Sequence, residues 1–212
     1  MSKHGQGRQG AAVRRLVMAS FVLVAVSLAG PLVLAQAPSS SRGLAPGSVV
    51  DERARSLDAL FKGLKAARGD DEADELVARI WEVWTRSGRA DVDKMMEEGI
   101  SYLSVRQLGA AHDRFTEALD AAPGFPEAWN KRATVLFLMF EHERSLADIE
   151  KVLSLEPRHF GALAGRGMIH AQAGRWKEAL DAYQQALAVN PFLKERQTII
   201  PELERRAGEK PL

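Results

Sequence analysis

Beyond the N-terminal segment, the side chains of this 212-residue chain best suited to ligation or proton transfer are four histidines, His112, His142, His159 and His170. A metal site built on helices typically needs two imidazoles at i, i+4, so that both project from one face. No pair here has that spacing. Only His170 is expected near a packed face. The chain has no cysteine, which excludes disulfides, thiolate metal sites, thiol nucleophiles and lipid-modified cysteines. It has no G-x-S-x-G elbow, no S-x-x-K and no phosphate-cradling loop. The acidic run Asp70–Glu75 lacks calcium-loop spacing; acids there suit the first turn of a helix, where the dipole favours negative charge. No catalytic residue, metal or cofactor is assigned, and the chain is not read as an enzyme. The formal net charge is +1, and Arg132, Arg166, Arg175 and Lys177 form no run, so nucleic acid is not an expected partner.

The elements that hold these residues emerge from an internal repeat. Prolines stand at 123, 157 and 191, and units of equal length can be drawn as 92–125, 126–159 and 160–193. Small residues align as Gly99, Ala133 and Gly167, as Ala111, Ser145 and Ala179, and as Ala118, Val152 and Ala186. Large ones align as Met95, Trp129 and Leu163; as Tyr102, Leu136 and His170; and as Phe115, Ile149 and Tyr183. This alternation predicts two antiparallel helices per unit, brought close at the small columns, with the proline ending the second helix. One such hairpin cannot bury its own face, so the units must stack.

A unit of this length with these columns resembles the tetratricopeptide repeat. The third unit carries the likeness best, through Leu163, Gly167, Gly174, Trp176, Ala179, Tyr183, Ala186 and Pro191. The resemblance implies an all-α fold, a right-handed superhelical stack of antiparallel helix pairs. Two departures bear on packing. Arg106 and Phe140 replace the turn glycine seen at Gly174, so those turns are expected to be less sharp. Glu98, Arg132 and Arg166 share a column usually held by leucine; either Glu98 and Arg132 pair across the unit boundary, or each is solvated independently with the arginine stems on apolar surface.

Capping helices are expected at both ends. Residues 51–91 read as a degenerate hairpin, with Leu57, Leu60, Phe61 and Leu64 on one helix and Ala73, Leu76, Val77, Ile80, Trp81 and Trp84 on the next. Residues 194–212 read as a capping helix and tail, with Leu193, Ile199, Ile200 and Leu203 inward. Lys194, Glu195, Arg196, Glu202, Glu204 and Arg205 point outward, and Pro201 kinks the helix or starts a new turn.

The resemblance also implies where a partner sits. In such repeats the first helices line a concave groove, and the matching positions here nominate Met96, Ile100, Leu103, Asn130, Thr134, Phe137, Leu138, Met168, Ala171 and Gln172. The lysine, asparagine and arginine clamp for a terminal carboxylate, a known mode of the family, has no counterpart: Met96, Ile100, Gly161 and Gly165 stand at its positions, with Lys131 in place of its asparagine. An apolar peptide or helix fits the remaining strip, unless the leading hairpin or a second copy covers it. Aspartate at Phe137 or Met168 is expected to abolish partner capture without unfolding the chain.

The N-terminus reads as an address. Lys3, Arg8, Arg14 and Arg15 precede an apolar run from Leu16 to Ala35, broken by Gly30-Pro31. This is the layout of a signal peptide, 1–35, with cleavage after Ala35 and a retained anchor as the other reading. Residues 36–50 form a Pro/Ser/Gly-rich flexible linker. Past residue 35, 25 basic residues face 28 acidic ones. The expectation is therefore a non-catalytic protein–protein scaffold or adaptor in the periplasm or outside the cell, binding a protein or peptide partner, with no membrane span after cleavage. The alternatives are an accessory subunit of an envelope enzyme complex, for cell-wall or cofactor maturation, and a self-associating structural protein.

Overall fold

The computed structural model describes residues 46–208. The signal peptide, most of the linker and the last four residues of the tail lie outside them. The chain divides into two units, Met1–Ala59 and Leu60–Leu212. The described part of the first is the leading stretch of helix α1 (Pro46–Ala66). That helix starts inside the segment read as linker. Proline is compatible with a first helical position, where the N–H has no intrahelical partner.

The second unit continues with α2 (Asp70–Thr85) and then three helix pairs. These are α3 (Ala90–Ser104) with α4 (Leu108–Ala121), α5 (Pro126–Leu138) with α6 (His142–Leu155), and α7 (Phe160–Gln172) with α8 (Trp176–Val189). A short 3-10 turn (Lys194–Gln197) and α9 (Ile200–Gly208) close the chain. The pairs stack as the columns require, an all-α solenoid of antiparallel hairpins with capping helices.

The repeat is visible in the backbone bonds. The second helix of each pair ends two residues before its proline. The residue between them, Ala122, Glu156 or Asn190, leaves the helical region, with φ of −143°, −139° and −118°. A following proline disfavours the helical region for that residue. Its N–H still caps the helix, on Ala118 O, Val152 O and Ala186 O.

The small columns are contact points. A Cβ on Gly99 would lie 2.5 Å from the Phe115 ring, and one on Gly167 would lie 2.6 Å from the Tyr183 ring. In the middle unit Ala133 fills this place, and the Ser145 hydroxyl donates across to its carbonyl at 2.7 Å. Around them Val92, Met96, Ala111, Phe115, Ala118, Leu119, Phe125, Ala128 and Val135 form one continuous core between the first two pairs.

Three expectations change. First, the turns at Arg106 and Phe140 are as sharp as the glycine turn. Their φ values are 58° and 63°, against 74° at Gly174. All three bond alike: Arg106 N–H to Leu103 O and Gln107 N–H to Tyr102 O, repeated at Phe140/Glu141 and Gly174/Arg175. This is the helix-ending motif whose closing residue sits in the left-handed region. Side chains other than glycine pay about 1–2 kcal/mol there. Arg106→Gly and Phe140→Gly are therefore each expected to stabilise the chain by about 1 kcal/mol, read as a raised urea midpoint at unchanged slope.

Second, Glu98 and Arg132 do not pair. Glu98 meets Arg114 of its own unit at 3.4 Å. Arg132 forks onto Asp148 at 2.8 and 2.9 Å and touches Thr116 of the preceding unit. Arg166 likewise bridges Glu150 behind it and Gln185 ahead. The shared column faces the second helices on either side rather than its own neighbours.

Third, Glu195, expected outward, is buried, while Pro201 stands in the first turn of α9, the new turn that is one of its two expected roles. Burial pushes the Glu195 carboxyl above the usual carboxylate range. Leu193, Ile199, Ile200 and Leu203 do face the core.

Candidate functional site: a filled end of the concave face

The N-termini of α5 and α7 lie side by side on the concave face, and a buried polar cluster joins them. Glu127 occupies the first turn of α5, where the helix dipole favours an acid. It has no exposed surface, yet it holds three partners. Lys131, one turn on, places its ammonium 3.1 Å from Oε1. His159 Nε2 lies 3.1 Å from Oε2, and Asn130 donates to the same oxygen at 3.0 Å. His159 also caps α7, its Nδ1 accepting from Ala162 N–H at 3.1 Å. Since Nδ1 accepts, the hydrogen sits on Nε2 and points at Glu127. Burial, the largest single influence, pushes the Glu127 carboxyl up. Lys131 and His159 together outweigh it and hold the group at about 2.

Helix α2 closes this cluster from outside. The Trp84 indole stacks on the His159 ring, centroids 4.1 Å apart and 9° from parallel. Trp81 meets the same imidazole edge-on at 5.4 Å, and its ring lies 5.8 Å from the Lys131 ammonium. Phe160 packs on both indoles. The slot for Trp81 exists because residue 161 is glycine: a Cβ there would stand 2.8 Å from the indole. At the other end of α2, Asp70 pairs with Arg196 at 2.5 Å and Asp74 with Lys194 at 3.3 Å. The acidic run thus ties the hairpin to the C-terminal cap, besides suiting the start of α2.

A Glu–His pair can serve proton transfer, but here both imidazole nitrogens are engaged and the ring is sealed under tryptophan. The cluster is built to hold helices together. It also revises the expectation for the histidines: His159, not His170, is the buried one, and His170 is only half-buried. Among the described residues no group of three or more histidine or acidic side chains converges as a metal site.

The ten nominated groove residues separate into two sets. Met96, Phe137, Met168 and Ala171 are buried, so they serve the protein's own packing. Aspartate at Phe137 or Met168 would therefore break the core, which overturns the expectation that such variants stay folded. Ile100 is exposed, and Leu103, Asn130, Thr134, Leu138 and Gln172 are half-buried. Asn130 is also tied to Glu127. Helix α2 covers the N-terminal end of the face and leaves the far end accessible. Sequence reasoning missed Glu127, Lys131, His159 and Gly161 as one site. The signals were present: two tryptophans one helical turn apart, and a glycine at the groove position of the third unit.

Stacked helical hairpins of this length and column pattern define a helical-repeat protein. Tetratricopeptide-repeat models match residues 96–138 and 161–193. The chain is 32% identical over 200 residues to a TPR repeat-containing protein of Rhizobium etli, covering 91% of this chain and 98% of that one. The chain belongs to the tetratricopeptide-repeat family. It is also 34% identical over 106 residues to DnaJ homolog subfamily C member 3 of Mus musculus, which is half of this chain and 21% of that protein. Among solved structures it resembles the first TPR of Spaghetti (RPAP3) bound to an HSP90 peptide, with a TM-score of 0.53 and 20% identity. That match covers 56% of this chain and 94% of the other. The Arabidopsis OM64 TPR domain is alike at a TM-score of 0.52 and 21% identity, covering 54% and 95%.

Proposed function

We propose that this protein is a non-catalytic, exported scaffold that captures a protein or peptide partner on the concave face of its three repeats. The carrying observation is the division of that face. Its N-terminal end is filled by α2, while Ile100, Leu103, Thr134 and Leu138 along the same first helices keep accessible apolar or methyl-bearing surface. Side chains of this kind suit an apolar peptide or an amphipathic helix. An acidic C-terminal tail is the poorer fit, because Lys131 is buried and already paired with Glu127. Export rests on the basic residues of 1–15 followed by the apolar run 16–35. No helix among the described residues is long and apolar enough to cross a membrane.

A photo-crosslinking amino acid placed at 103, 134 or 138 of the full chain in cells tests the groove. The expected result is a discrete product shared by these positions and absent from position 147, exposed on α6. The same products from position 147 would overturn the groove. Fractionation of the full chain beside a chain lacking residues 1–35 tests export; equal retention of both in the cytoplasm rejects it.

A further inference from the structure

Helix α2 fills the groove as a ligand would. It is not stacked on α3 as a fourth repeat. It lies across α5 and α7, reaching past the first unit to meet the second and third. Its exposed side carries Asp71, Glu72, Asp74, Glu75 and Glu82, so α2 is an amphipathic helix laid apolar face down. Its link to α3, Arg86 to Arg89, bends at Gly88, whose φ is +81°. Ser87 and Arg89 on either side are pinned to Asp93 and to Ala121 O, and the Ser87 hydroxyl accepts from Arg89 N–H and donates to Arg89 O across Gly88, so the link is anchored on the first repeat and α2 leaves it at Arg86. At its far end α2 is held by two ion pairs in which Lys194 and Asp74 stay largely exposed. Surface pairs of this kind are individually weak.

The receptor is specific in shape and chemistry. Gly161 leaves a slot for one indole, the His159 ring is a flat plate for the second, and the Lys131 ammonium faces the first. Cations and imidazole planes suit aromatic faces rather than aliphatic side chains. Aromatics at i and i+3 project from one side of a helix, which is how Trp81 and Trp84 reach both places together.

We infer that the Gly161–His159–Lys131 end of the groove is a receptor for an amphipathic helix bearing two aromatic residues three apart and acids in its first turn. In the free protein α2 occupies it in cis, and the partner is an external helix of that chemistry that displaces α2. The inference rests on the groove reading above and names the partner class for its closed end. A tethered competitor acts at high effective concentration, so it lowers the apparent affinity of any external helix by the fraction of time it is docked.

The test uses the full chain and a fluorescently labelled peptide spanning residues 68–87. The wild-type chain is expected to bind it weakly. Trp81→Ala in the chain loosens the cis helix and leaves the receptor whole, and is expected to tighten peptide binding at least about tenfold. The surface variant Asp70→Lys with Asp74→Lys, which sets like charges against Arg196 and Lys194, is expected to do the same without touching the core. Adding Gly161→Leu to either blocks the slot and is expected to abolish binding, as is alanine at both tryptophans of the peptide. Equal peptide binding by wild-type and loosened chains of unchanged helicity would overturn the inference, as would binding that survives Gly161→Leu. A wild-type dimer that exchanges α2 between copies would overturn the external partner in favour of a second copy. Crosslinking from 103, 134 and 138 reads the open end independently, so a partner captured there with no peptide effect refutes this inference and spares the scaffold reading.

Discussion

Glu127→Ala is expected to cost about 3–5 kcal/mol of folding stability, because it leaves a buried ammonium without its counter-charge. Lys131 is 8% exposed and Glu127 is its ion-pair partner; the same substitution takes the acceptor from His159 Nε2. Urea unfolding at neutral pH measures the loss. Removing both charges together tests the cause: Glu127→Gln with Lys131→Met is expected to recover most of the stability, since a buried pair replaced by apolar groups is often near neutral. The pH dependence has a definite sign. The carboxyl titrates at its ordinary 4.5 when unfolded and at about 2 when folded. Its contribution, on the order of 3 kcal/mol, is therefore complete above about pH 4.5 and fades as the pH falls toward 2. Wild-type stability is expected to drop through that window, and Glu127→Ala is expected to show a shallower fall. Parallel pH profiles for the two would mean that the pair contributes nothing.

Trp84→Ala is the second large effect, at about 3–5 kcal/mol. Trp84 is 1% exposed and is the largest fully buried side chain among the described residues. It stacks on His159 and touches Phe61, Trp81 and Phe160, so truncation opens a cavity that several rings border. The loss is expected to be local first. Amides of residues 70–85 should exchange faster by a large factor, while α3 to α8, most of whose contacts are within their own pairs and with adjacent pairs, keep most of their protection. Hydrogen exchange followed by mass spectrometry separates this from uniform loosening, which would show instead that α2 belongs to one cooperative core with the repeats.

The repeat was legible because its determinants are local and periodic. Proline can act only on its own helix and on the residue before it, so residues 123, 157 and 191 mark three helix ends wherever the units sit. Gly99 and Gly167 announce close approach because ring-sized residues recur sixteen positions on, at Phe115 and Tyr183. The turns at Arg106 and Phe140 were misjudged for a related reason. Residue preference set the expectation, while the helix ends on both sides imposed the left-handed conformation regardless.

The buried cluster was not legible in the same way. Glu127 and His159 are 32 residues apart and fall in no shared column, and each looks like an ordinary surface or turn residue of its unit. Four of the ten nominated groove residues proved buried too, since Met96, Phe137, Met168 and Ala171 are apolar whether they face a partner or the core.

The sequence by itself determined the antiparallel helix pairs, the helix ends at the three prolines and the small-to-large contacts within each pair. All of these are set by neighbours within one hairpin. The tertiary structure alone decided where the leading helix goes. Its apolar face, with Trp81 and Trp84, would suit stacking on the first unit or lying along the groove. The choice was made by a glycine slot at 161, an imidazole plate at 159 and a charged pair at 127 and 131, which meet only when the second and third units stack.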